Sequence, residues 1–265
     1  MNDENKSFLF IFQKDRVLVK KNSFFSIPTF SEGCDFTLPF IRQGDVGIPK
    51  GNGHHWAEVP EGIQAPQSMD FVPLRGLYEG IGEELFAVAG QAFQIMYWHR
   101  TTRFCSCCGA PLQKHKVDRA MECPACNFLI YPRISPVIAV AVEKEGKLLL
   151  ARSPHFPPRR YSILAGFVEP GEKLEEAVAR EVMEEVGLEI EHIQYFGSQP
   201  WAFPHSLMMG FTAQWKSGVI HIDGKEIEDA GWYTPETLPS TPTKASISGC
   251  LILNYLERSK GLSKP

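Results

Sequence analysis

The segment Gly166-Phe-Val-Glu-Pro-Gly-Glu172-Lys-Leu-Glu-Glu-Ala-Val-Ala-Arg180-Glu181-Val-Met-Glu184-Glu185-Val-Gly187-Leu188 sets the character of the C-terminal half. Apolar residues recur at helical spacing over Lys173–Val186, and Gly187 reads as the C-cap, since glycine takes the left-handed turn without a Cβ penalty. With Leu174 at zero on a wheel of about 100° per residue, Ala177 and Val178 fall within about 60° of it, and Glu181 and Glu185 within about 20°. The stripe begins apolar and ends in carboxylates. Glu184 lies near its edge, four residues after Arg180. A Glu-rich helix is ordinarily a solvated face. Here the acids continue the inward side, where an unpaired carboxylate costs on the order of several kcal/mol. Protonation and cations are the two remedies, and converging carboxylate oxygens suit Mg²⁺ or Mn²⁺. Such ions act on phosphate esters and anhydrides. Arg180 would hold Glu184 by a charge-assisted hydrogen bond.

Around this helix the pattern is strand and turn. Pro136–Val142 and Leu148–Arg152 read as strands joined at Glu143–Lys147, and Tyr161–Phe167 reads as a third. Further strands are expected near Ile190–Phe196, Leu207–Trp215 and Ala230–Tyr233, with a terminal helix over Ala245–Glu257. Strands with interspersed helices make an α/β or α+β half. Glu83–Arg100 reads as a helix whose Leu85, Val88, Ala89, Phe93, Met96 and Tyr97 stripe is core. Before it, short pieces such as Phe8–Gln13, Arg16–Lys20, Asp35–Phe40 and Trp56–Val59, broken by Pro, Gly and Asn, indicate an irregular β-rich region with no legible function. His54-His55 reads as a loop pair, since no third ligand is visible.

The 265 residues allow about two domains with a small insert. Hydrophobic residues at 43% and charged residues at 22% exclude disorder, collagen and coiled coil for the whole chain. The longest apolar runs, Val137–Val142 and Lys147–Ala151, fall short of the roughly 18–20 residues of a membrane helix, so no membrane association is expected. A net charge of −4 argues against a whole-surface basic footprint for nucleic acid, though not against a local anion site. The start is acidic, Phe8–Phe12 is too short for a signal core, and Ser263-Lys264-Pro265 is one residue short of a peroxisomal address, so a cytoplasmic protein is expected.

Cys105-Ser-Cys-Cys108 and Cys123-Pro-Ala-Cys126 are two knuckles, each followed by a residue that permits a tight turn, Gly109 and Asn127. Four thiolates from two hairpins can surround Zn²⁺ tetrahedrally, and such a closed site holds structure, not chemistry. The two-residue gap selects Cys105 and Cys108 over Cys107. Cys34 and Cys250 read as small apolar residues. The division expected is a β-rich domain over 1–100 ending in a helix, a zinc ribbon over 101–132 and a catalytic domain over 133–260.

Gly166, Glu172, Arg180, Glu181, Val182, Glu184, Glu185, Gly187 and Leu188 match the Nudix box at every fixed position. The chain is therefore similar to Nudix hydrolases, which implies an α/β/α sandwich around a mixed sheet and hydrolysis of a diphosphate linked to another group. Downstream, Ser198-Gln199-Pro200-Trp201-Ala202-Phe203-Pro204-His205-Ser206 resembles the array of NADH pyrophosphatases, with Ala202 replacing a Pro. That resemblance covers roughly residues 80–260 and implies NAD(H) as substrate, cleaved to nicotinamide mononucleotide and AMP, with removal of NAD caps from RNA as an extension. Gln199 and Ser206 can hydrogen-bond a ligand, and Trp201, Phe203 and Phe167 offer flat faces for a base. By the same resemblance the Ala165 carbonyl and Glu181, Glu185 and Glu226 would bind Mg²⁺ or Mn²⁺, Glu184 or Glu185 would activate water, and Tyr131, Asp118 and Ser248 would contact substrate. It implies a homodimer as well. Two rivals stand beside this reading. One is a Nudix hydrolase of another substrate, such as ADP-ribose or a dinucleoside polyphosphate. The other is a zinc-ribbon nucleic-acid-binding protein with an inactive hydrolase domain, against which the intact Glu181, Glu184 and Glu185 argue. Arg152, Arg159 and Arg160 read as a solvated loop before they read as RNA contacts.

Overall fold

The computed structural model describes residues 7–21, 24–34, 36–47, 53–222 and 224–261, without the side chains of 33 and 34. The acidic start, the Cys34 side chain, Asp35 and Ser263-Lys264-Pro265 lie outside the described residues. The chain divides into two compact units, Met1–Arg133 with Ala202–His205, and Ile134–Trp201 with Ser206–Pro265. Among the described residues no helix is long and apolar enough to cross a membrane.

The first unit holds β1 (Leu9–Gln13), β2 (Arg16–Lys21), β3 (Phe25–Ser26), α1 (Phe30–Cys34), β4 (Arg42–Asp45), β5 (His55–Glu58), β6 (Met69–Pro73), α2 (Tyr78–Ile81) and α3 (Glu83–Thr101). Its sheet runs β3-β2-β1-β5-β4, with β6 also on β2 and β1 parallel to β5. Strand alternation sorts the side chains. Phe10, Phe12, Val17, Val19 and Trp56 meet Ala89, Ala92, Phe93 and Met96 of α3. Leu9, Ile11, Leu18 and Ala57 form the opposite face. The described part of the piece expected over Asp35–Phe40, residues 36–40, is not a strand. Phe36, Leu38 and Phe40 cover that opposite face, but Pro39 has no N–H to give and the Phe40 N–H donates locally to the Leu38 carbonyl at 3.0 Å. Conversely β4 and β6 are strands that the alternation did not announce. His54-His55 proves to be structural: His54 Nδ1 accepts from the Phe8 N–H at 3.1 Å, and His55 Nδ1 pairs with Asp45 at 2.8 Å. The ribbon follows as β7 (Gln113–Lys114), β8 (Met121–Glu122) and β9 (Leu129–Ile130), hydrogen-bonded in that order. Arg119 Nη2 ties it to the carbonyls of Val46 at 2.7 Å and Gly47 at 3.0 Å.

The second unit holds β10 (Ser135–Lys144), β11 (Lys147–Arg152), β12 (Leu164–Phe167), α4 (Leu174–Val186), β13 (Glu189–Trp201), β14 (Ser206–Ser217), β15 (Asp229–Tyr233) and α5 (Ile247–Ser259). The sheet runs β13-β14-β10-β11-β15, with β12 antiparallel to β10 and β10 parallel to β14. Along β10, Ile138, Val140 and Val142 pack toward Ala177, Val178, Val182 and Val186 of α4. The alternate residues Ala139 and Ala141 pack toward Ile247, Leu251, Ile252 and Tyr255 of α5. This is the expected α/β/α sandwich. The strand expected over Tyr161–Phe167 is shorter. Only Leu164–Phe167 pairs with β10, while Ser162 bridges to Ala151 and the Tyr161 N–H turns to the Ser240 carbonyl at 2.9 Å. Ser198–Trp201 continues β13 in register with Met209–Ser206. A proline is tolerated there because β13 lies at the sheet edge and needs a partner on one side only.

Candidate active site

α4 opens where the Glu176 carboxylate accepts the Lys173 N–H at 3.0 Å, and it closes at Gly187, whose φ of 68° lets its N–H reach the Met183 carbonyl at 3.0 Å. Its inner stripe carries Ala177, Val178 and Val182 into the core and then delivers Glu181 and Glu185, 8% and 7% exposed, to a cavity of about 470 Å³. The end of β12 supplies another wall through Ala165, Gly166 and Phe167, and the segment before β15 brings Glu226. A Cβ at position 166 would overlap the Glu181 carboxylate, so glycine is what lets the acid lie against the strand.

Arg180 organises the acids. Its Nε donates to Glu172 Oε1 at 2.7 Å, and Nη2 donates to Glu172 Oε2 and the Phe167 carbonyl, both at 2.9 Å. Nη1 donates to Glu181 Oε1 and Glu184 Oε2, each at 2.9 Å. The bidentate bond from Arg180, aided by the Glu169 N–H, holds the Glu172 carboxyl down to about 2. Glu181 moves the other way. Burial raises its pKa despite the Arg180 contact, and the charges of Glu184 and Glu226 add to the rise. One guanidinium shared among three carboxylates does not neutralise them. An all-oxygen set of a backbone carbonyl and converging acids fits a hard divalent cation, and a cation would reverse the cost that burial places on Glu181.

The four knuckle cysteines also converge. Their sulfurs all lie within 4.8 Å of one another, with Cys105 and Cys126 at 3.7 Å and Cys108 and Cys123 at 3.4 Å. A tetrahedral zinc with bonds of about 2.3 Å sets its sulfurs about 3.8 Å apart, so the donor set fits Zn²⁺. Gly109 and Asn127 take the left-handed turns, at φ 74° and 60°. Cys107 is exposed and stands outside the set, its N–H donating to Cys105 Sγ at 3.4 Å.

The remaining candidates spread out. Gln199 is occupied at the start of α5, donating to the Ala245 carbonyl at 3.1 Å and accepting the Ile247 N–H at 2.6 Å, beside Ser248. Ser206 is buried and pairs with Ser135. Pro200 and Trp201 end β13. Ala202, Phe203, Pro204 and His205 belong to the first unit. There Ala202 is buried against Gly90, Phe203 meets Phe93 at 6.2 Å under the Arg75 guanidinium at 4.7 Å, and the His205 ring lies 6.1 Å from Tyr97. The flat face attributed to Phe203 is thus engaged with protein groups. Phe167 is exposed at the cavity. Tyr131 and Asp118 lie exposed in the first unit, with the Asp118 N–H on His115 Nδ1 at 3.0 Å. Arg152 is ion-paired with Glu228. Glu169, which lines the cavity, escaped the sequence reading. It precedes the helix, so no periodicity marks it.

Family models match three consecutive stretches: an NADH pyrophosphatase-like rudimentary NUDIX domain over 6–98, an NADH pyrophosphatase zinc ribbon domain over 100–131 and a NUDIX domain over 132–252. The first extends the resemblance beyond residue 80 toward the N-terminus. The NAD-capped RNA hydrolase NudC of Pseudomonas aeruginosa PAO1 is 44% identical over 228 residues, covering 86% of this chain and 82% of that protein. Its counterpart from Pseudomonas putida W619 is 48% identical over 242 residues, covering 89% and 88%. A Nudix hydrolase structure from Nitrosomonas europaea superposes with a TM-score of 0.53 at 24% identity, covering 60% of this chain and 94% of that one, a likeness of fold.

Proposed function

This chain belongs to the Nudix hydrolase family, in the group of the NAD-capped RNA hydrolase NudC, and from that premise we propose that it hydrolyses the diphosphate of NAD(H) to nicotinamide mononucleotide and AMP, and removes NAD caps from RNA 5′ ends. The observation that carries the chemistry is the delivery of two carboxylates, both more than nine-tenths buried, to one cavity beside three further glutamates and a shared arginine.

The Ala165 carbonyl, Glu181, Glu185 and Glu226 would hold Mg²⁺ or Mn²⁺. When bound, such an ion neutralises charge on the diphosphate oxygens and acidifies a coordinated water. Arg180 keeps Glu181 and Glu184 at fixed positions, so their oxygens need little reorganisation. Glu184 or Glu185 takes a proton from the attacking water, whose oxygen forms a new P–O bond as the bridging P–O bond breaks. Phe167, exposed at the cavity mouth, offers its ring to the base or nicotinamide. Tyr131, Asp118, Ser248 and the 199–206 segment serve the substrate, by contact or by fixing the loop. Zn²⁺ on Cys105, Cys108, Cys123 and Cys126 has a structural part. The protein acts as a homodimer in the reducing cytoplasm.

Incubation with NADH and Mn²⁺, followed by mass identification of the products, tests the reading. Nicotinamide mononucleotide and AMP in equal amounts are expected. Faster turnover of ADP-ribose than of NADH would move the protein to the other substrate class. Absence of turnover, together with RNA binding that persists in EDTA, would make it a binding module.

A further inference from the structure

Two segments that supply the acidic cavity are both fastened to the last residues of β11. Ala151 and Ser162 exchange backbone hydrogen bonds, at 2.8 Å from the Ala151 N–H and 2.9 Å from the Ser162 N–H, just before β12 carries Ala165 to the cavity. Arg152, the next residue, is the last rung of the β11–β15 ladder and lies opposite Asp229. Beyond that rung the chain bends away toward Glu226, and three consecutive residues hold it where it leaves. Ile227 is buried in the core shared with α4. The Glu228 N–H donates to the Arg152 carbonyl at 3.0 Å, and the Glu228 carboxylate pairs with the Arg152 guanidinium. Asp229 accepts a hydrogen bond from the Tyr161 hydroxyl. Arg152 Nη2 also donates to the Phe156 carbonyl at 3.4 Å, so one side chain ties together β11, the loop after it and the bend.

The Arg152 side chain is 20% exposed and that of Glu228 37%, so salt screens the pair only in part, and a planar guanidinium fixes direction as well as distance. Among the described residues neither lines the cavity. A small hard cation such as Mg²⁺ demands its oxygens near ideal positions at about 2.1 Å, so a ligand carried on a bend serves only if the bend is held. Resting on the cation reading above, we propose that the Arg152–Glu228 pair is a positioning device: it fixes the bend that carries Glu226 relative to the Ala165 carbonyl, and so sets the affinity of the cavity for Mg²⁺ or Mn²⁺. The two ligand-bearing segments depend on consecutive residues of one strand end, so loosening the second contact moves Glu226 while Ala165 stays. Groups that orient metal ligands from outside the coordination sphere are worth about ten- to a hundredfold in metal affinity. Charge alone makes a different demand. Loss of the cationic Arg152 would then tighten binding of a cation and loss of Glu228 would weaken it, whereas positioning requires both losses to weaken it.

The test is Mn²⁺ binding to the zinc-loaded protein without nucleotide, read from the electron paramagnetic resonance of free Mn²⁺. It compares wild type, Arg152→Met, Glu228→Gln and the double variant, with Glu226→Gln marking the site concerned. At that site each single variant is expected to bind Mn²⁺ about tenfold more weakly, and the double variant no more weakly than either single one, because the pair acts as a unit. Saturating Mn²⁺ should return kcat for NADH to within about twofold of wild type, since the chemistry itself is untouched. Thermal midpoints within about 4 °C of wild type would show that the fold is kept. If Arg152→Met does not fold, Arg152→Lys takes its place: it keeps the charge and loses the planar fork, so weakened Mn²⁺ binding supports the proposal and wild-type binding overturns it. Effects of opposite sign in the two single variants would show charge at work without positioning, and unchanged affinity in both would show that Ile227 holds the bend unaided; either overturns the proposal. A kcat that stays low at saturating Mn²⁺ overturns it too. Wild-type protein that binds no Mn²⁺, or Glu226→Gln that binds it normally, brings down the cation reading itself, a result distinct from all of these.

Discussion

Each unit lays a long helix across a mixed sheet, and the two helices bury different chemistry. α3 turns Ala89, Ala92, Phe93, Met96 and Trp98 inward, while α4 turns Ala177, Val178 and Val182 inward and then Glu181 and Glu185. The first unit does bury an acid, Glu58 at 4% exposure. Two arginines meet it, Arg42 at 2.6 Å and Arg100 at 3.4 Å. In the second unit a single guanidinium is divided among Glu172, Glu181 and Glu184. A paired buried carboxylate is architecture, whereas clustered, under-neutralised ones call for a cation. The match of residues 6–98 to a rudimentary NUDIX domain fits this contrast: α3 keeps its acids, Glu83 and Glu84, in the first turn, and its buried residues are Ala89, Gly90, Ala92, Phe93, Ile95, Met96 and Trp98.

The sharpest way to break the contrast is Glu185→Gln. Turnover of NADH is expected to fall by about a thousandfold or more with the fold intact, measured by steady-state kinetics beside circular dichroism. Near-normal turnover would remove the catalytic meaning from the α4 stripe. Next comes Cys123→Ser, which strips one ligand from a closed site. Zinc content should drop toward zero and the first unit should lose several kcal/mol, roughly, of unfolding free energy, read by metal analysis and denaturant titration. Retention of one zinc per chain at unchanged stability would contradict a structural site. The smallest effect is a pH dependence of the first unit. Burial, with Lys114, Arg119 and Arg42 nearby, pulls His99 down to about 4 from its ordinary 6.5. The unfolded chain therefore binds the proton first. The stabilisation is complete above pH 6.5 and is lost as pH falls toward and through 4. Glu172 in the second unit behaves alike but lower, its contribution being lost between 4.5 and about 2. Thermal midpoints should thus drop by several degrees between pH 7 and 5, and His99→Phe, which keeps a ring against Trp56, should flatten that drop. A flat wild-type profile would show that His99 is solvated.

Much of the second unit was legible because its signals are local. The α4 stripe, its Gly187 cap and the alternation of β10 are each written within about a dozen residues, and the two knuckles carry their own spacing. The first unit was harder to read. β4 carries the polar run Arg42-Gln-Gly-Asp45 and owes its state to pairing with β5, while Phe36, Leu38 and Phe40 alternate like a strand yet lie beside Pro39 and join no ladder among the described residues. In 198–206 the aromatic residues suggested free flat faces, but half of that segment is edge strand and Phe203 is spent on Phe93 and Arg75.

The order of residues alone determined that two glutamates would continue one helical stripe with a third at its edge beside an arginine, that four cysteines could close on a metal, and which hydrolase family the chain resembles, because each is a spacing along a single element or pair of turns. Only the tertiary structure decided that Gly166 makes room for Glu181, that Glu226 joins the acids from a distant bend, and that Arg152 pairs with Glu228 beside that bend. Those neighbours come from segments far apart in the chain, and no periodicity records which of them packing will bring face to face.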